Sequence, residues 1–249
     1  MEPVFRTLEI TAKALVLVTG TKITYQNLQH IPRTGGAVIA INHTSYVDWL
    51  PAALALHSRG RRIRYMIKAE MQQVKTVNFL IRHTKTVPVN RGAGAQAYAD
   101  AVRLLRAGEV VGLMPEATIS RSFELKDFKT GAARMALEAG VPTVPLIVWG
   151  AQRMWTKGHP RSLGRTKIPV IVAAGRPLSP DGDAEHLDAA LREEMTSLLQ
   201  RVQEEYPHPE GAYWVPRRLG GSAPTVAEAK ILEETEKAER ARKRANHDP

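Results

Sequence analysis

The 249-residue chain contains no cysteine. That excludes disulfides, a thiol nucleophile and cysteine-ligated zinc or iron–sulfur sites, and it fits a reducing compartment. Aromatic residues make up only 6% of it. Surfaces that stack nucleic-acid bases interleave aromatics with their cations, and the dense basic cluster Arg59, Arg61, Arg62 and Arg64 has no aromatic within it. Nucleic acid is therefore not the expected partner. There is no Gly-x-Ser-x-Gly elbow and no His-Glu-x-x-His metal motif. Gly92-Ala93-Gly94-Ala95-Gln96-Ala97 lacks the third glycine of a dinucleotide fingerprint. No internal repeat is visible, and no small-residue cleavage pattern of a secretory signal follows the N-terminal apolar run.

Positive charge is abundant: the formal net charge is +10, with 35 Lys/Arg against 25 Asp/Glu. It is unevenly spread. Residues 51–106 hold eleven Lys/Arg and two acids, and residues 153–167 hold five Lys/Arg and none. The tail 225–249 is neutral, with six of each sign, so the whole excess sits on the body. Such a body calls for an anionic partner, a membrane surface or a phosphorylated substrate, and the stretches beside the motifs below suggest an anion-binding face.

Hydropathy patterning divides the chain into three parts. Residues 1–24 contain an amphipathic helix, expected over 2–20, with Phe5, Leu8, Ala12, Leu15 and Val16 on one face. Arg6, Glu9 and Lys13 interrupt the apolar run that a bilayer-spanning helix needs, so this helix either lies in a membrane interface or packs on the domain. Residues 25–219 read as one α/β domain. Apolar runs predict strands at 37–41, 62–67, 86–89, 110–114, 144–149 and 170–174, with Pro88 marking an edge or a strand end. Helices are expected at 46–58, 95–107, 130–139 and 183–205, with Gly108 and Gly140 as stops. The alternation implies a mixed, largely parallel sheet covered by helices on both faces. Residues 220–249 read as a Gly-rich linker followed by a charged tail, a solvated helix or disorder.

Four blocks carry the chemistry. In Asn42-His43-Thr44-Ser45-Tyr46-Val47-Asp48, a carboxylate five residues from a histidine can reach one ring nitrogen, fix the tautomer and leave the other nitrogen as a base. The same pair could be a satisfied loop histidine or two ligands of a metal. In Val87-Pro88-Val89-Asn90-Arg91-Gly92, an arginine at a strand end can present its fork to a phosphate, or be a solvated turn residue. In Met114-Pro115-Glu116-Ala117-Thr118, Glu116 sits past a strand end, where a carboxylate can bind a glycerol hydroxyl. Arg121, Lys126 and Lys129 follow; all three could hold a phosphate, with a solvated charge the alternative reading of Lys126. Val144-Pro145-Leu146-Ile147-Val148-Trp149-Gly150 is an apolar strand, structural or lining an acyl channel.

In this order and spacing the four blocks resemble the glycerolipid acyltransferase family, typified by bacterial 1-acylglycerol-3-phosphate acyltransferases with their Asn-His-x4-Asp motif. The resemblance covers residues 37–150. It implies that His43 and Asp48 are the catalytic pair and that Arg91, Glu116 and Arg121 bind the glycerophosphate. It implies an acyl thioester donor, acyl-CoA or acyl carrier protein, as cosubstrate, with no cofactor and no metal. The acceptor it implies is lysophosphatidic acid, esterified at the sn-2 hydroxyl by a peripheral enzyme on the cytoplasmic, anionic face of the cell membrane. A glycolipid, glycerol 3-phosphate or an amino lipid remains an alternative acceptor, and a non-catalytic membrane-surface or nucleic-acid-binding protein an alternative class. One departure stands out: the family's third block reads Phe-Pro-Glu-Gly-Thr-Arg-Ser, whereas here Ala117 replaces the glycine and the arginine, Arg121, comes two residues later.

Overall fold

The computed structural model describes residues 3–90 and 94–245. Seven strands form one sheet in the order β1-β7-β6-β2-β5-β3-β4. In chain order they are β1 (Ile23–Gln26), β2 (Ala37–Ile41), β3 (Ile63–Lys68), β4 (Val87–Val89), β5 (Val110–Leu113), β6 (Thr143–Trp149) and β7 (Val170–Ala174). Every pairing is parallel except β6 with β7. The mixed, largely parallel sheet expected from the alternation of elements is what forms. Val87-Pro88-Val89 is indeed an edge strand, where the missing proline N–H removes no ladder bond on the open side.

Both faces are covered. Val38, Ala40, Val111, Ile147 and Trp149 point to one side, beneath α4 (Gly94–Arg106), α5 (Gly131–Ala139) and α6 (Ala184–Glu205). Ile39, Ile41, Val144, Leu146 and Val148 point to the other, against Ala52, Ala55 and Leu56 of α2 (Trp49–Ser58). Alternate residues of β2 and β6 thus feed two separate cores, which is why these strands read as continuous apolar runs rather than as alternation. All seven residues of β6 are buried, and each large side chain so buried contributes about 1.5–3 kcal/mol.

Helix ends follow local chemistry. Gly140 closes α5 at φ 65°, and the Asp183 carboxylate accepts the His186 N–H at the start of α6. The second helix begins at Trp49, not near Tyr46, because Asp48 turns its side chain back to the preceding loop instead of leaving 46–48 to wind. Two elements lie outside the segments expected from the sequence, although Val77, Leu80, Ile81 and Thr84 of the second fall at helical spacing. Strand β1 is a four-residue edge with exposed Thr24 and Tyr25, and α3 (Lys75–Thr84) buries only Ile81 and Thr84.

The N-terminal helix α1 (Pro3–Thr19) packs on α2 and α3. Glu9 reaches Arg62 (3.0 Å) and His57 (3.3 Å), and Phe5 lies under Arg62 and Arg64. Among the described residues no helix is long and apolar enough to cross a membrane. The charged tail forms α7 (Val226–Ala245). It opens with a capping box: Glu228 N–H donates to Thr225 Oγ1, and Thr225 N–H donates to the Glu228 carboxylate. The preceding Gly-rich stretch is bonded to the body rather than swinging free, with Ser222 N–H on Ala212 and Ala223 N–H on Val215.

Gly150 ends β6 at φ 103°, and a Cβ there would sit 2.3 Å from the Pro169 carbonyl oxygen. Replacing it with alanine adds both a left-handed backbone penalty and a backbone clash. Gly150→Ala is expected to cost at least about 2 kcal/mol, read as a lower midpoint in urea denaturation followed by tryptophan fluorescence.

Candidate active site

Strand register builds the site. Ala40 of β2 is level with Leu113 of β5, and each chain runs three residues further to reach His43 and Glu116. Those two residues therefore meet at the C-terminal edge of the parallel strands, where open α/β sheets bind ligands. The His43 N–H donates to Glu116 Oε1 at 2.7 Å. Asn42 extends β2 with its side chain, donating to the Val148 carbonyl (3.0 Å) and accepting the Val148 N–H (2.7 Å).

The loop from His43 to Asp48 is wound around one oxygen. Asp48 Oδ2 accepts from His43 Nδ1 (3.2 Å), the Thr44 N–H (2.9 Å) and the Ser45 N–H (2.7 Å). Asp48 is fully buried, whereas the His43 side chain keeps 19% exposure. Burial pushes the Asp48 carboxyl above its usual range, while the His43 imidazole and the Ser45 and Thr44 amides act against that shift by favouring the carboxylate. With the acceptor at Nδ1, the ring proton sits there. Nε2 is left as the free base, with no partner among the described residues.

A second loop, 151–156, holds the first from the other side. The Ser45 hydroxyl lies 2.7 Å from the Trp155 carbonyl and 3.0 Å from that of Ala151. Tyr46 N–H donates to Trp155, and Thr156 Oγ1 donates to the Thr44 carbonyl. These supporting groups were not legible in the sequence, because their partners lie more than 100 positions away.

Glu116, expected to bind a substrate hydroxyl, has both carboxylate oxygens engaged within the protein. It is 5% exposed, and both oxygens accept backbone N–H groups, from His43 and from Lys126 (3.1 Å). It braces the histidine loop against the following loop, which returns a bond from Ser120 N–H to the His43 carbonyl (2.7 Å). Burial pushes its carboxyl up to about 8, against the pull of the two amides and of the Lys126 charge. Ala117, where the resembling family has glycine, adopts φ 60°, so the left-handed turn is kept without the residue that favours it.

Of the expected phosphate ligands, Arg91 lies outside the described residues. Lys129 is exposed, its backbone N–H bonded to the Pro115 carbonyl. Arg121 is engaged by Glu236 of α7 at 3.2 Å, and Lys126 by Glu233 at 2.6 Å. The cluster Arg59–Arg64, expected beside the motifs, is not there. It stands at the start of β3, level with the start of β2, so at about 3.3 Å per residue it is roughly 20 Å from His43. Its charges have structural partners: Arg61 donates to the carbonyls of Pro32, Gly35 and Gly108, Arg62 pairs with Glu9, and Arg64 pairs with Glu109. They line a surface cavity of about 610 Å³ together with Arg33 and His57, on the edge of the sheet away from the motifs.

A base oriented by a buried carboxylate, at the mouth of an α/β sheet and beside cations, suits proton removal from an alcohol whose substrate carries negative charge. Residues 22–149 match the sequence model of the family described as Acyltransferase, and the chain belongs to that family of enzymes. It is 30% identical over 196 residues to the 1-acyl-sn-glycerol-3-phosphate acyltransferase of Bacillus subtilis, covering 76% of this chain and 90% of that one. It is 24% identical over 148 residues to the enzyme of the same name from Borreliella burgdorferi, covering 58% of each. Its fold is shared with the crystal structure of the LPA acyltransferase PlsC from Thermotoga maritima, with a TM-score of 0.68 at 21% identity over 82% of this chain and 81% of that one.

Two outcomes test this reading of the loops. Ala117→Gly relieves a left-handed alanine and is expected to stabilise the fold by about 1 kcal/mol, read in urea denaturation. Glu116→Gln sets an amide NH₂ against a backbone N–H and is expected to cost about 1–3 kcal/mol. A carboxyl whose folded pKa is raised contributes stability below its unfolded value of 4.5 and loses it as pH rises through about 8. The wild-type midpoint is therefore expected to fall as pH rises from about 4.5 to about 8, and that slope to be missing in the variant.

Proposed function

We propose that the chain transfers a fatty acyl group from an acyl thioester to the sn-2 hydroxyl of 1-acylglycerol 3-phosphate, giving phosphatidic acid. The observation that carries this is the His43 side chain, 19% exposed, bonded through Nδ1 to buried Asp48 and with no partner on Nε2 among the described residues. The names of the relatives supply the acceptor class. In the reaction the acceptor hydroxyl donates to His43 Nε2. As its oxygen attacks the thioester carbonyl, the proton passes to Nε2 and Asp48 stabilises the imidazolium. The tetrahedral intermediate collapses with cleavage of the C–S bond, and the thiol leaves with that proton. With no cysteine available and no serine elbow, direct attack by the acceptor accounts for the chemistry without an acyl-enzyme. The donor is acyl-CoA or acyl carrier protein, and no cofactor takes part. Arg91, Arg121 and Lys129 are the candidates to hold the acceptor phosphate.

The reaction takes place at a membrane surface, on its cytoplasmic side in this proposal. Support comes from the outward face of α1, where Ile10, Leu15, Leu17 and Val18 are 51–79% exposed. Helix α3, packed beside it, adds exposed Phe79, and the turn before it adds Met71 and Val74. An apolar face of this kind, bordered by Lys13 and Lys75, suits insertion into the headgroup region of an anionic bilayer.

His43→Ala is expected to lower transfer of radiolabelled acyl groups from acyl-CoA to lysophosphatidic acid by about 10²–10⁴-fold with the fold intact. Near-normal turnover would remove the base from the mechanism. Glycerol 3-phosphate and a glycolipid offered in parallel identify the acceptor. Leu17→Glu with Val18→Glu is expected to reduce binding to anionic liposomes at least about tenfold, because two apolar insertions are lost; unchanged co-sedimentation would point to another docking surface.

A further inference from the structure

The acidic face of α7 sits on cations that border the active-site loops. Glu233 pairs with Lys126 at 2.6 Å, and Glu236 pairs with Arg121 at 3.2 Å and with Lys157 at 3.4 Å. Each cation belongs to, or directly follows, a residue bonded to the histidine loop or to its brace. Lys126 N–H is held by Glu116, which also holds His43. Arg121 follows Ser120, whose N–H donates to the His43 carbonyl, and Lys157 follows Thr156, whose hydroxyl donates to the Thr44 carbonyl. The three charges thus form one cradle on the loops that brace His43, occupied by two carboxylates of α7. Arg121 Nε is buried there with no hydrogen-bond partner among the described residues.

The attachment of α7 changes along its length. Its first turns are held by the Thr225 capping box, the Arg217–Glu228 pair (2.9 Å) and buried Ala229. Further along, the large apolar side chains turn outward, with Ile231 63% and Leu232 45% exposed. What holds this part down is charge. Ion pairs with partial exposure are individually weak and exchange readily with a competing anion.

We propose that α7 is a carboxylate gate on an anion site: Glu233 and Glu236 occupy the Arg121–Lys126–Lys157 cradle, and a phosphate monoester displaces them to bind beside His43. The gate rests on the acceptor reading above and adds Lys157 to the groups that would take the headgroup. A phosphate monoester carries up to two negative charges on oxygens set close together, so it can replace two separate carboxylates at once.

The test uses the full chain. In Glu233→Gln with Glu236→Gln, the KM for lysophosphatidic acid is expected to fall about tenfold at low salt with kcat unchanged, three weak ion pairs being lost at a few-fold each. In the wild type, trypsin cleavage at Lys230 and Lys237 is expected to speed up in inorganic phosphate or lysophosphatidic acid, and not in sodium chloride of equal ionic strength. Acceleration by lysophosphatidic acid alone identifies the headgroup as the occupant, and acceleration by both admits free phosphate. An unchanged or higher KM in the double variant, or phosphate and lysophosphatidic acid both acting no better than sodium chloride, overturns the gate. A wild type that acylates no lysophosphatidic acid yet opens to inorganic phosphate refutes the acceptor and leaves the gate standing.

Discussion

Everything at the active edge depends on parallel strands ending level. Because β2, β5 and β6 run side by side in one direction, the loops that follow them meet in the same layer. Buried polar groups then have to satisfy one another there. Asp48 takes three donors on one oxygen, Glu116 takes two amides, and Asn42 substitutes for a ladder pair. Each would be costly left alone in a low-dielectric setting. Together they make a rigid frame around an imidazole that remains open on one nitrogen. The frame that positions the imidazole is also part of the fold, so changes to the frame residues, unlike removal of the ring itself, carry a cost in stability.

The charge of the molecule is divided by position. On the far edge of the sheet, arginines serve the architecture: Arg61 binds three carbonyls, and buried Arg64 pairs with half-buried Glu109. On the active edge, the cations hold carboxylates from a single peripheral helix. The first set is fixed by geometry that an anion cannot reproduce. The second set has partners that an anion can replace. The neutral tail thus supplies the counter-charge for part of the basic body, while apolar side chains of α1 and α3 stay exposed on their outer faces.

Hydropathy alone determined the α/β class, most of the strands and helices, and the edge position of the proline strand. Periodicity and turn chemistry are local, so the chain carries them within each short segment. The motif spacing brought out His43 and Asp48 because the two are five residues apart and one turn joins them. What surrounds that pair was decided only in three dimensions. The Glu116 bonds span 73 and 10 positions, the clasp of Ser45 and Thr156 spans more than 100, and the ion pairs of α7 reach back from Glu233 to Lys126. A run of arginines looks the same in sequence whether it faces a ligand or staples carbonyls, and a charged tail looks solvated until its partners are known. Those distinctions rest on long-range register, and register is a property of the packed sheet rather than of any one segment.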